Sequence, residues 1–145
     1  MDYQFIILPV IAGLIAQISK LITSPKRGRF SIRSLIAYSG MPSGHSAVMV
    51  AITTIIGFKL GLADPLFAIS LILTLLIIRD AVGLRKYIGK HGEVINDLVE
   101  DLEEDKYLDE KYPRLLEHIG HTFKQVLVGA IIGFVVSYGG WLLMN

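Results

Sequence analysis

Four apolar runs, at 5–23, 47–62, 66–82 and 126–144, take up about half of the 145 residues. Each approaches the roughly 20 residues that carry an α-helix across a bilayer. Charged residues make up only 19% of the chain, against 52% hydrophobic, where an average soluble domain carries roughly 25% charged residues. A water-soluble fold of this length would lack the polar residues to coat its surface. These proportions exclude an ordinary cytosolic globule, a disordered chain and a basic nucleic-acid-binding domain. The expected architecture is an all-α membrane protein, a single domain built as a four-span transmembrane helical bundle. The first run has no basic residue ahead of it and no small-residue cleavage signal, so it reads as a retained span. The absence of cysteine excludes disulfides, thiolate catalysis and cysteine-ligated metals.

Four spans put both termini on one side and the connections 24–44 and 83–125 on the other. The first connection holds Lys26, Arg27, Arg29 and Arg33 with no acid, and the second holds seven further bases. The other side has little beyond Asp2, Lys59 and Asp64. The positive-inside rule then predicts a multi-pass integral protein, of the inner membrane in a cell with two, with both long connections cytoplasmic. Nine of the thirteen acids fall between Glu93 and Glu110. Ile95, Leu98, Val99 and Leu102 recur among them at helical spacing, which predicts an amphipathic interfacial helix. A second short helix is expected over 114–118. The acidic run reads as a solvated face, with a lid or a divalent-metal site as the alternative. Within the last span, Gly129-Ala-Ile-Ile-Gly133 would let a neighbouring helix approach closely.

With the acidic run set aside, few residues remain for chemistry. Met41-Pro-Ser-Gly-His-Ser-Ala47 stands just before the second span. Pro42 sets a turn, Gly44 permits close backbone approach, and Ser43 or Ser46 can cap the helix. Open N–H groups at a helix start bind anions, and His45 there can deliver a proton. Lys20 and Arg27 bracket the end of the first span. Arg79 and Asp80 sit at the end of the third, where a charge must be paired or functional; Asp80 is expected to reach a cation or a histidine. His121 and Gln125 are four residues apart at the start of the last span. On that helix they are i and i+4, so the amide reaches the ring and holds a neutral imidazole in one tautomer.

Lys20-x6-Arg27, Pro42-Ser43-Gly44-His45 and His121 with a polar residue four places on resemble the three signatures of the type 2 phosphatidic acid phosphatase superfamily. GMPSGHSA, RDAVGLRKYIGK and GHTFKQVLVGAIIG look like its small divergent branch, the domain of unknown function 212 group. The resemblance runs from Lys20 to about Gly133. It implies a PAP2-like core and a lipid phosphate phosphatase that needs neither metal nor cofactor. His121 would be the nucleophile, forming a phosphohistidine, and His45 the general acid. Lys20 and Arg27 would hold the phosphoryl oxygens, with Ser43 and the Gly44 amide completing the cradle. Three positions depart from the superfamily pattern: Gly28 follows Arg27 in place of proline, Leu115 stands where an arginine is usual, and Gln125 replaces aspartate. Asp80 or Glu117 would supply the missing carboxylate and Arg85 or Arg79 the missing guanidinium, with Asp80 and Arg85 favoured. Phosphatidylglycerol phosphate, phosphatidic acid and polyprenyl (di)phosphates fit as substrates. Four spans are fewer than the six usual in the superfamily, so loop helices or a homodimer would complete the site. The competing reading is a non-catalytic protein that binds anionic lipid heads or scaffolds a partner.

Overall fold

The computed structural model describes residues 3–23, 40–101, 114–117 and 119–144. Among them the chain is all helical, with α1 at Gln4–Thr23, α2 at Gly44–Leu60, α3 at Pro65–Val82, α4 at Leu84–Glu100 and α5 at Phe123–Met144. α2 is the central element and packs against α5, α1 and α3; α1 also packs on α5. α4 packs against α3 alone among the helices, across their junction at Gly83.

Small side chains bring the helix axes together. Ser43, Ala47 and Ala51 form a stripe at four-residue spacing at and along α2, and Gly129, Gly133 and Ser137 form its counterpart on α5. A Cβ on Gly129 would overlap the Ser43 carbonyl oxygen, and one on Gly133 the Ala47 carbonyl. One turn further, the buried Ser137 hydroxyl donates to the Ala51 carbonyl at 2.8 Å. The GxxxG expected to admit a neighbour therefore does so within the chain, with α2 as the neighbour. On the α1 side, Ala12 and Ala16 join Ala47 and Ala51 in a fully buried alanine core, with Ile132 and Val136 packed on it. Toward α3, the Thr53 and Thr74 hydroxyls share a hydrogen bond at 2.8 Å and Thr74 donates to the Met49 carbonyl.

The outward faces are the inverse of a soluble protein's. Ile6, Val10, Leu14, Ile18 and Ile22 make a stripe along α1, each more than half exposed. Leu66, Ile69, Ile72 and Leu75 do the same on α3. Two helical runs, Pro65–Glu100 and Phe123–Met144, are long and apolar enough to cross a membrane, while the apolar stretches of α1 and α2 are shorter. Gly61 ends α2 with φ +93°. Asp64 then caps α3, its side chain accepting from Leu66 N–H at 2.8 Å, with Pro65 at the first helical position.

Two expectations change. The amphipathic helix starts at Leu84, just past Gly83, and its buried positions are Gly89, Gly92 and Asn96. Ile95 and Leu98 are exposed; Leu102 lies outside the described residues. The short helix expected over 114–118 is absent from 114–117, which run as an irregular strap across α4; His118 lies outside the described residues. The strap finds its backbone partners on α4: the Asn96 carboxamide donates to the Leu115 carbonyl at 2.9 Å and accepts from the Leu115 N–H at 3.0 Å. Satisfied in this way, the segment needs no helix of its own.

The contact between α2 and α5 generates a direct test. Gly133→Val forces a branched side chain into the Ala47 backbone and should lower the melting temperature in detergent sharply, with a cost of about 1–3 kcal/mol or more. Gly139→Ala, at a position open on all sides, should leave it almost unchanged.

Candidate active site

Four chain segments converge at one end of the bundle: the end of α1, the start of α2, the α3–α4 junction and the entry to α5. Ser43 organises the meeting point. Its N–H donates to the Gln125 carbonyl at 3.0 Å, which ties the start of α2 to the first turn of α5. Its hydroxyl accepts from both Ser46 N–H and Ser46 O–H, so Ser43 is the N-cap of α2. With Ser43 N–H and Ser46 N–H both bonded, the Gly44 and His45 N–H groups are the ones left open at the helix start among the described residues. The Ser43 hydroxyl proton also remains available to an acceptor. Open N–H groups at a helix start are donors of the kind an anion can use.

His121 is placed by its backbone. Its N–H donates to the Ala81 carbonyl at the end of α3, at 2.9 Å. The preceding Gly120 has φ +105° and lies against the backbone of Arg85 and Lys86, too close for a side chain. The His121 residue is buried, and neither ring nitrogen has a hydrogen-bond partner. Burial first, and then the positive charges of Lys20, His45 and Arg85, push its pKa down to about 4. The ring is therefore neutral at physiological pH, with one nitrogen lone pair unspent.

The remaining sequence-singled residues divide into two groups. Lys20 is buried, its aliphatic stem against Gly40, and its charge reaches both His45 and His121. His45 is exposed in the first turn of α2 and lies in the field of Arg85, Lys20 and Asp80. Asp80 does meet a cation, and that cation is Arg85: Arg85 Nε donates to Asp80 Oδ2 at 2.6 Å, across the α3–α4 junction. Lys20, Ser43, Gly44, His45, Asp80, Arg85 and His121 thus belong to one neighbourhood. Arg79 is exposed and its described contact is through its backbone carbonyl, which accepts from Gly83 N–H. Arg27 lies outside the described residues.

Gln125 does not hold the His121 ring. His121 precedes the helix, and Thr122 caps it: Thr122 N–H donates to Gln125 Oε1 at 2.8 Å while Gln125 N–H reaches Thr122 Oγ1 at 3.4 Å. This is a reciprocal capping box, the use that a polar residue three places after a threonine serves at a helix start. The i, i+4 reading assumed both residues were helical; the Thr-x-x-Gln signature in the same stretch pointed to the boundary.

Asn96 was not singled out by the sequence. It donates to Glu117 Oε1 as well as pairing with Leu115, and Gly89 and Gly92 let the strap backbone lie against α4. That strap leads directly into Gly120 and His121. The spacing of Gly89, Gly92 and Asn96 on one helix face was the available signal. Gln17 was also missed. It lies one turn before Lys20, against Gly44, with a buried and unpartnered Oε1. An apolar cavity of about 470 Å³, lined by Thr53, Gly57, Phe58, Phe67 and Phe134 among others, opens on the opposite half of α2 and takes no part in this constellation.

The depressed pKa of His121 sets a pH dependence of stability. Unfolded histidine takes up its proton near pH 6.5, folded His121 only near pH 4. The unfolded state therefore binds more protons in that window, and stability falls as pH drops through it, by up to about 1.4 kcal/mol per pH unit. Thermal melts in detergent from pH 7 to pH 4 should show this loss in the wild type and a flatter profile in His121→Asn.

The family model described as the divergent PAP2 family matches residues 1–136. A Bacillus subtilis (strain 168) protein, the uncharacterized membrane protein YuiD, is 33% identical over 109 residues, covering 68% of each chain. No solved structure matches the chain. With the family pattern extending over nearly its whole length, and a membrane protein as its relative, the chain belongs to the divergent PAP2 family.

Proposed function

We propose that the protein is a lipid phosphate phosphatase with four spans, working at the bilayer surface through a phosphohistidine. The observation that carries this reading is His121: a buried, neutral imidazole with both nitrogens unpartnered, set among cations and beside an open helix start. A buried ring without partners is expensive unless a ligand supplies them. A phosphomonoester does so, placing phosphorus before the ring nitrogen and oxygens on the surrounding donors.

In the first step a His121 nitrogen attacks phosphorus. The P–O bond to the lipid alcohol breaks, and His45 gives its proton to the leaving oxygen. Water, deprotonated by the now neutral His45, then attacks the phosphohistidine; phosphate leaves and His121 is restored. Lys20, Arg27, Ser43 and the Gly44 amide hold the equatorial oxygens. Charge is stabilised by these fixed donors, so the step needs no metal. Arg85 adds a guanidinium and Asp80 keeps it oriented; Asp80 is also the carboxylate we assign to the imidazolium, since Gln125 serves the helix cap. Because the α1 and α2 apolar stretches are shorter than typical spans, the four-span arrangement requires a thin or locally thinned bilayer around them. The basic connections 24–44 and 83–125 favour a cytoplasmic site, and with it a lipid phosphate made on that leaflet, of the phosphatidylglycerol phosphate or phosphatidic acid type. A homodimer is the arrangement that would complete the missing helices.

The capping role of Gln125 favours a second reading, a protein that binds anionic lipid heads without turnover. Phosphate release from a panel of lipid phosphates, by purified protein in detergent with EDTA present, separates the two. The phosphatase reading expects release that resists EDTA and falls with orthovanadate. His121→Ala should reduce it by about 10⁴-fold or more, and His45→Ala by about 10²–10⁴-fold. Full activity in His121→Ala ends the phosphohistidine mechanism, and silence of the folded protein across the panel leaves the binding reading.

A further inference from the structure

α4 has three distinct faces. At 3.6 residues per turn, Leu84, Tyr87, Ile88, Val94, Ile95 and Leu98 fall within an arc of about 120°, with His91 the one further residue inside it. All six are exposed, by 47% to 68%. The adjoining face, Gly89, Gly92 and Asn96, is buried under the strap. The third face is charged, with Lys86, Lys90, Glu93 and Asp97. Among the described residues no helix other than α3 packs on α4, so the apolar arc is uncovered by the described bundle.

We propose that this arc docks on a lipid surface: α4 lies along the bilayer boundary, its apolar face in the headgroup–acyl region and its strap and charged faces outward. Three observations favour lipid over a second copy of the chain. α4 begins one residue after α3, so its N-terminus emerges at the bilayer boundary and its apolar surface continues that of a membrane helix. Gly83, with φ −101° and ψ −89°, interrupts the helical path between them. The first two turns also carry Lys86 and Lys90, whose long side chains suit anionic headgroups, and Tyr87 presents the amphipathic ring that interfaces favour. Through Asn96 and the strap, the same helix supports the segment that carries His121, so lipid contact and site geometry share one element. The inference rests on the membrane residence of α3 and not on phosphatase chemistry.

The chain contains no cysteine, so a single environment-sensitive nitrobenzoxadiazole label can be placed by Ile95→Cys or by Glu93→Cys. Each labelled protein is reconstituted into vesicles of phosphatidylcholine and phosphatidylglycerol, part of the phosphatidylcholine bearing an acyl-chain nitroxide. Fluorescence from position 95 should be blue-shifted and quenched several-fold more than that from position 93. Adding Ile88→Glu and Leu98→Glu should abolish most of the quenching at position 95 while the melting temperature of the bundle holds. Equal quenching at the two positions overturns the proposal, as does quenching at position 95 that survives the two glutamates. Efficient disulfide formation between two Ile95→Cys copies, with the label there shielded from lipid, also overturns it and assigns the arc to a second chain.

Discussion

The backbone contact between α2 and α5 is the constraint on which the rest depends. In a bilayer, apolar side chains gain little by leaving lipid for protein, so helices associate through close packing and hydrogen bonds. Ser43, Ala47 and Ala51 against Gly129, Gly133 and Ser137 supply both. The stripe ends at Ser43 N–H bonded to the Gln125 carbonyl, where the start of α2 meets the start of α5. The register that satisfies the glycines is thus the register that brings the segment of His45 to the segment of His121. Packing and site are consequences of a single alignment.

Around that alignment the charges are arranged asymmetrically. Lys20 and Arg85 bring positive potential to a buried neutral imidazole, while Asp80 restrains Arg85 instead of pairing with a histidine. An anion entering such a place meets cations and open N–H groups, while a proton is discouraged from settling on His121. The arrangement favours a nucleophilic ring over an acidic one.

Much of this was legible in the chain. The apolar runs marked the helical cores, and the Pro-Ser-Gly-His element marked a capped helix start. Helix ends were less legible: α2 and α5 begin three residues before their apolar runs, because Ser43 and Thr122 set the boundary through caps and not through hydropathy. The role of Gln125 went astray for the same reason. The strap was illegible because its structure comes from α4, through backbone bonds to Asn96 that no local periodicity encodes. Arg27 and Leu102 fall outside the described residues, so their expected places stand on sequence.

The way His121 is held has a thermodynamic consequence. Gly120, the bond to Ala81 and the Thr122 cap fix its main chain from three directions, leaving the ring without any internal bond. Most reactive histidines must be oriented by a partner, and that partner takes up one nitrogen. Here rigidity is delegated to the peptide backbone, so a ligand breaks no existing hydrogen bond on arrival. The cost of burying the imidazole is met when the chain folds.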